Sequence, residues 1–126
     1  METQNIFNHR TGMMLLREDG ILEIRFKEGI EITKRDAAEL LAQKIEWTEA
    51  RIPLLIIRNR GISVAQDLLM YGLDGLENAF TAFAEVVGSE IAHKATEIEQ
   101  DFIFPMTTTK IFYSEEEAVK WLEGLL

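Results

Sequence analysis

Five consecutive apolar residues, PLLII at positions 53–57, place the strongest constraint on the fold of this chain. A continuous apolar run of this length, bounded by a proline and a polar turn, is typical of a strand that is buried on both faces. Pro53 has no backbone N–H to donate, but at the first residue of a strand it removes no central hydrogen bond. The run therefore predicts a strand inside a sheet against which helices pack.

The N-terminal part of the chain predicts an antiparallel hairpin. Two apolar-rich runs, at 13–18 and 21–26, are joined by Asp19-Gly20, a dipeptide typical of the two-residue type I′ turn. This turn fixes which residues face each other across the two strands. It brings together one set of side chains that is the better candidate for the core, namely Met13, Leu15, Ile24 and Phe26.

Met14 and Leu16 then lie on the opposite side of that hairpin, at the edge of the sheet. Exposed apolar residues on an edge strand invite pairing with another chain. The sequence therefore predicts a homodimer in which a partner chain covers these two side chains.

Four helices are predicted, and each follows a residue that is typical of a helix N-cap. The capping residues are Thr33, Ser63, Ser89 and Ser114. Behind these caps, apolar residues recur at helical spacing and are expected to face the core. The stripes are Ala37, Leu40, Leu41 and Ile45 in the first helix, Val64 and Leu68 in the second, Ile91, Ala95, Ile98 and Phe102 in the third, and Ala118, Trp121, Leu122 and Leu125 in the last.

Two further apolar runs, at 81–87 and 110–113, are interpreted as strands, which gives the element order ββαβαβαβα. Strands that alternate with helices predict right-handed crossovers and a mixed, mostly parallel sheet, with the antiparallel hairpin at its N-terminal edge. No linker or internal repeat interrupts the pattern. Residues 1–126 are therefore expected to form one α/β domain.

The composition excludes several classes of function. A net charge of −9 disfavours a nucleic-acid partner and an anionic membrane surface, both of which need clustered Lys and Arg. The absence of cysteine removes disulfides, thiolate nucleophiles and zinc–thiolate sites. No apolar run approaches the roughly 20 residues that cross a bilayer, and no signal-peptide pattern is visible. We therefore expect a cytoplasmic protein without membrane insertion.

With this order of elements, the chain resembles the SpoIIAA-like fold of the STAS domains of anti-sigma-factor antagonists. It is most similar to small single-domain bacterial STAS/SEC14-like proteins of unassigned function. The resemblance covers most of the chain and is carried by LREDGIL at 16–22, GIEIT at 29–33, VVGS at 86–89 and, above all, TKIFYSEEEA at 109–118 with Trp121 and Leu122. It implies a regulatory domain that acts through protein contacts. In the antagonists a serine opening the helix after the buried strand is phosphorylated, and Ser63 is the residue in the similar place, although the surrounding motif is different.

The candidate catalytic and metal-binding residues have simpler interpretations. His9 and His93 lie far apart in sequence and show no convergent partners, so both are expected to be solvated. Glu97, Glu99 and Asp101 are expected to form a solvated helix face, and Glu115 to Glu117 to favour the positive end of the last helix. We accordingly expect no catalytic residue, no metal site, no cofactor and no enzymatic activity.

One loop departs from this background. Two cations, a glycine and a helix start follow the buried strand, where ligands tend to bind in open α/β sheets: Arg58, Asn59, Arg60, Gly61 and Ser63. The sequence leaves three interpretations of this loop: an ordinary helix cap at Ser63 with solvated arginines, an anion- or partner-binding site, and a phosphorylation site.

Two functions follow as hypotheses. The first is a non-enzymatic regulatory or protein-interaction module, with another protein or a second copy of the chain as its partner. The alternative is a domain of SEC14-like character that binds a small apolar or anionic molecule. An apolar cavity favours the ligand-binding domain, whereas an exposed apolar surface favours the interaction module.

Overall fold

A mixed sheet forms the centre of the structure. The structure is a computed structural model and describes residues 5–103 and 108–126. Its strands, with those of a small second sheet, are β1 (Asn5–His9), β2 (Gly12–Leu16), β3 (Leu22–Phe26), β4 (Glu31–Ile32), β5 (Ile52–Ile57), β6 (Ser63–Val64), β7 (Phe80–Val86) and β8 (Thr108–Phe112). The helices are α1 (Lys34–Trp47), α2 (Gln66–Tyr71), α3 (Leu76–Ala79), α4 (Glu90–Ile103) and α5 (Glu115–Glu123). None of these helices is long and apolar enough to cross a membrane.

The main sheet has the strand order β1-β2-β3-β5-β7-β8. The first three strands pair antiparallel, and β3, β5, β7 and β8 pair parallel. The predicted α/β class, the mixed sheet and its antiparallel N-terminal side are confirmed. The prediction missed the short parallel pair β4–β6 and the one-turn helix α3, because elements of two to four residues carry too little periodicity to be recognised. It also missed β1, in which polar residues interrupt the apolar pattern.

The apolar run that constrains the fold is β5, which lies between β3 and β7. Its alternate side chains enter two separate clusters: Leu54 and Ile56 face α1, α2 and α4, whereas Leu55 and Ile57 face α5. All four are buried. The predicted strand buried on both faces is therefore confirmed, and it separates the two halves of the core.

The hairpin prediction had the wrong register. Arg17 N donates to Ile21 O (2.9 Å) and Gly20 N donates to Arg17 O (3.1 Å), so the loop has three residues rather than two. Gly20 adopts a φ of 86°, whereas Asp19 does not have a positive φ. This is the three-residue hairpin loop that ends in a left-handed glycine. Because side chains alternate along a strand, the one-residue shift turns every side chain of β2 to the other face.

As a consequence, Met14 is fully buried, whereas Met13 and Leu15 are only partly covered. Met14 pairs with Ile24, and Leu16 pairs with Leu22. The strand β2 is not at the edge either, because β1 pairs with it. Met14 and Leu16 therefore do not support a homodimer, because Met14 is buried and β2 is not an edge strand. The homodimer itself stays a prediction.

The N-terminus of α1 forms as predicted. Thr33 Oγ1 accepts from Asp36 N (3.1 Å), and Asp36 Oδ2 accepts from Thr33 N (2.9 Å). The predicted apolar stripe differs at its end, because Ile45 is 45% exposed and Lys44 is buried in its place. Lys44 lies four residues after Leu40 and therefore on the same buried side of the helix. Its ammonium group donates to Ala50 O (2.7 Å).

The orientation of α4 is the largest departure from the prediction. Ile91, Ile98 and Phe102 are 85%, 57% and 60% exposed, so the apolar stripe faces outward. Thr96 and Gln100 are buried instead. The cap is as predicted, since Ser89 Oγ accepts from Ala92 N (3.2 Å).

The helix α5 covers the face of the sheet that carries Leu55 and Ile57. It begins at its predicted cap, where Ser114 Oγ accepts from Glu117 N (3.3 Å), and it buries Ala118 and Leu122. Arg25 of β3 donates to Glu115 in its first turn and to Glu23 Oε2 (2.7 Å). Leu125, predicted to continue the stripe, is 48% exposed beyond the end of the helix.

Gly12, at the start of β2, lies close to the backbone of Arg25 in β3, and a substitution can test this contact. A Cβ atom on Gly12 would lie 2.0 Å from the carbonyl oxygen of Arg25, and the φ of Gly12 is 156°. Gly12→Ala is expected to lower the free energy of unfolding by at least about 3 kcal/mol in urea denaturation. Gly88→Ala is the control, because a Cβ there meets nothing within 4 Å, and a change within about 0.5 kcal/mol is expected. Equal effects of the two substitutions on the free energy of unfolding would contradict the close contact between Gly12 and the Arg25 carbonyl.

Candidate functional site

An apolar cavity of about 110 Å³ lies between the sheet and the helices α1, α2 and α4. It is intermediate between an enclosed void and a surface cleft. Most of its wall consists of aliphatic and aromatic side chains, among them Met14, Ile24, Leu40, Leu68 and Phe83. A cavity of this kind suits a small apolar molecule, since an apolar protein cavity of about 150 Å³ binds benzene or xenon.

Three charged side chains, Arg58, Glu85 and Glu99, line the same cavity. Arg58 directly follows β5, and Glu85 is the second-to-last residue of β7. Because β5 and β7 are parallel neighbours, their carboxyl ends lie side by side. The cavity therefore has a polar end at the carboxyl edge of the sheet, which is where ligands bind in many open α/β folds.

The guanidinium of Arg58 holds α4 to the sheet. Nη1 donates to Thr96 Oγ1 (2.9 Å) and to Glu99 Oε1, and Nη2 donates to Glu99 Oε2 (3.1 Å) and to Ile62 O (3.0 Å). The side chains of Arg58 and Glu99 are only 7% and 15% exposed. Both nitrogens and both carboxylate oxygens are thus engaged in a fork-to-fork pair, which is the strongest geometry for such a contact.

Glu85 is buried beside this pair. Gln100 Nε2 donates to its Oε1 (3.2 Å). Burial raises the pKa of Glu85 to about 7, with a smaller contribution from the negative charge of Glu99, and the Gln100 hydrogen bond and the Arg58 charge only partly oppose this shift. Near neutral pH, Glu85 therefore exists in both the protonated and the ionised form.

The structure separates the residues of the predicted loop. Arg58 reaches the cavity, whereas Asn59 Nδ2 donates to Phe26 O (3.0 Å) and joins the loop to β3. Arg60 and Gly61 are exposed; Arg60 O accepts from Gly29 N (2.9 Å), and Gly61 has a φ of 71°. The expectation of solvated arginines is wrong for Arg58, whose side chain is 7% exposed. The loop as a binding or phosphorylation site stays a prediction.

Ser63 is not a helix cap, which contradicts the prediction. It lies in β6 and pairs with Glu31, and its N–H donates to Ile30 O (3.0 Å). The helix α2 begins only at Gln66, after Ala65, whose side chain makes no capping hydrogen bond. The parallel pairing with β4 keeps this part of the chain extended, so the helix starts three residues after Ser63.

Four residues in and around the buried pair were not predicted as site residues: Glu85, Thr96, Glu99 and Gln100. Glu99 was expected on a solvated face, and that prediction is wrong. The available signal was Glu85 itself, a carboxyl side chain inside the apolar run that predicted β7. A buried carboxyl group requires polar neighbours, and the polar face of the next helix is where they are found.

His9 is also not solvated, because its side chain is 7% exposed. Nδ1 lies 2.8 Å from Thr11 Oγ1, and Nε2 lies 3.0 Å from Glu39 Oε1. Together with Asp36, His9 and Glu39 form a group with the spacing of metal ligands. Both oxygens of Asp36 already accept from Arg10, and one also accepts from Thr33, so we interpret the group as a hydrogen-bonded link between β1 and α1.

The raised pKa of Glu85 predicts how stability depends on pH. Between the ordinary value of 4.5 and about 7, the unfolded chain loses this proton while the folded chain retains it, so the free energy of unfolding falls as pH rises. Relative to Glu85→Gln, the wild-type protein is expected to lose about 2 kcal/mol between pH 5 and pH 8 in urea denaturation. The difference in the free energy of unfolding between the two proteins cancels the contributions of the other titrating groups. Parallel pH profiles would show that Glu85 titrates normally.

Comparison with known proteins places the fold in a wider context. A solved structure of an uncharacterized protein from the DUF3478 family with a SpoIIAA-like fold, from Shewanella loihica PV-4, superposes with a TM-score of 0.51 at 17% sequence identity. The alignment covers 95% of this chain and 92% of that one, which confirms the SpoIIAA-like fold. No curated protein matches the chain. The model of one family, described as "Domain of unknown function (DUF7793)", matches residues 14–126, and the chain belongs to that family.

Proposed function

We propose that this chain is a non-enzymatic domain that binds a small apolar molecule in the cavity between the sheet and the helices α1, α2 and α4. The observation that carries the proposal is the cavity itself, with its apolar wall and the polar end formed by Arg58, Glu85 and Glu99. Ligand sites commonly have this composition, in which apolar side chains provide affinity and a few polar groups fix orientation. We retain the cytoplasm as the proposed location, on the grounds of the acidic composition and the lack of cysteine.

The size of the cavity supports a bound molecule. A void in a protein core lowers stability by about 24 cal/mol for each Å³. Because this cavity of about 110 Å³ is partly open, leaving it unfilled costs at most about 3 kcal/mol. Such a cost is a considerable part of the 5–15 kcal/mol that stabilises a typical domain. A ligand that fills the volume restores the missing contacts and stabilises the fold by mass action.

Two of the three charged groups that line the cavity are paired with each other, which favours binding over catalysis. Arg58 and Glu99 engage each other with both ends of their forks, and Asp36 is held by Arg10 and Thr33. Groups committed to such pairs are poorly placed to attack or to transfer protons during a reaction. The Arg58 contacts also favour an apolar ligand over the anionic one that the loop sequence suggested.

Filling the cavity by substitution tests the proposal. Ala37 lines the cavity, and its neighbour Ala38 is exposed on the same helix. Ala37→Leu is expected to raise the free energy of unfolding by about 1 kcal/mol and to abolish binding of benzene and xenon, as measured by denaturation and by methyl NMR shifts. Ala38→Leu should do neither. Unchanged methyl shifts in the wild-type protein at saturating benzene and xenon would disprove the proposed function.

A second candidate function, a regulatory or protein-interaction module, is favoured by the outward stripe of α4. Ile91, Ile98 and Phe102 lie one to two turns apart on this helix and are all more than half exposed. An apolar patch of this kind often marks a contact with another protein. The partner proposed here is a second copy of the chain, because a stripe on one helix can pack against its own symmetry mate.

Light scattering tests this second candidate. The wild-type protein is expected to have twice the monomer mass at micromolar concentration, and the double variant Ile98→Glu/Phe102→Glu is expected to have the monomer mass, because charges would be buried in the contact. Leu126→Glu changes an exposed apolar residue outside the stripe and should leave the dimer intact. A monomeric wild-type protein would remove the dimer from consideration.

A further inference from the structure

The polar end of the cavity contains more acceptors than available donors. Its charged groups are two carboxyl groups, Glu85 and Glu99, and one guanidinium, Arg58. With Glu85 protonated the three sum to zero, and with Glu85 ionised they sum to one negative charge. A ligand whose polar group reaches this end therefore meets a neutral or negative environment of low dielectric constant, where charges interact strongly.

The positive group at this end is already used. Arg58 donates through Nη1 to Thr96 and Glu99 and through Nη2 to Ile62 and Glu99. A ligand carboxylate would have to displace Glu99 from a buried two-pronged pair, which leaves one buried carboxylate without its partner. The cavity is therefore unfavourable for an anionic head group.

Glu85, in contrast, retains acceptor capacity. Within the described part of the chain its side chain accepts one hydrogen bond, from Gln100 to Oε1. A carboxylate offers about four acceptor positions, so Oε2 is available to a donor inside the cavity. Glu85 lines the cavity wall and lies deep in the structure, at 5% exposure.

We propose that the cavity selects apolar molecules that carry one hydrogen-bond-donating group, as in an alkylamine or an alcohol, and that it rejects alkyl carboxylates. The donating group binds the carboxyl group of Glu85. This inference rests on the proposed function and specifies its ligand class. An ammonium group neutralises the charge that Glu85 adds when it ionises, and a hydroxyl group donates to either form of the acid.

The pH dependence of binding follows from the same groups. The charged and polar side chains that face Glu85 are Arg58, directly after β5, and Glu99 and Gln100 from α4. Because the ammonium form of an amine is paired best by the ionised acid, amine binding strengthens as pH rises from 6 to 8. Alcohol binding changes little over this range.

The test uses three probes that have the same number of carbon atoms and differ in their polar group: n-butylamine, n-butanol and butyrate. Dissociation constants are measured by NMR titration of the full chain at pH 6 and pH 8, with benzene as an apolar reference. At pH 8, butylamine and butanol are expected to bind at least about tenfold more tightly than butyrate. Glu85→Gln should weaken butylamine by about tenfold while benzene binding is retained. Glu77→Gln, an exposed glutamate of α3, is the matched control and should bind all probes as the wild-type protein does.

The outcomes distinguish the two levels of the proposal. Benzene binding without a preference among the three probes, or with butyrate preferred, overturns the inference and leaves the proposed function intact. Loss of benzene binding in folded Glu85→Gln, verified by its thermal melt, shows a packing role for Glu85 and also overturns the inference. Failure of every probe, benzene included, to bind the wild-type protein overturns both.

Discussion

The buried pair between Arg58 and Glu99 is the interaction on which the arrangement of this face of the molecule depends. A guanidinium at the end of a buried strand is tolerated only if its donors are satisfied, because an unpaired buried charge costs several kcal/mol. Thr96, Glu99 and the carbonyl of Ile62 satisfy those donors. The helix α4 must therefore present its polar side to the sheet, and its apolar side is left facing outward.

The same requirement explains the shape of the core. The second face of the sheet, under α5, is filled by small and branched residues such as Ala82, Ala84 and Ile57. On the first face, a polar helix side meets apolar strands, and side chains that hydrogen-bond to each other cannot also fill the space between the layers. The cavity lies where the apolar packing gives way to the polar pair, so we regard the void and the buried charges as two results of one arrangement.

The sequence predicted those features that local patterns determine. The buried strand β5, the cap of α1 at Thr33, the cap of α5 at Ser114 and the α/β order all follow from residues within a few positions of each other. The errors have non-local causes. The hairpin register depended on whether Asp19 takes a positive φ. The face that α4 turns to the sheet depended on Arg58, which lies 38 residues before Thr96 in the chain. Ser63 was held extended by pairing with Glu31. The position of the candidate site at the end of β5 could be predicted from the sequence. Its residues could not, because its carboxyl and amide groups come from β7 and α4.

The contact between Arg25 and Glu115 has a consequence for the biosynthesis of the protein. These residues are 90 positions apart, and among the described helices α5 is the one that packs on the face of the sheet beneath them. Ala118 and Leu122 leave the ribosome after β3 and β5, so Leu55 and Ile57 stay uncovered until α5 emerges. Closure of this face is therefore a late event, and the nascent chain passes through an interval in which one side of its sheet is a target for chaperones.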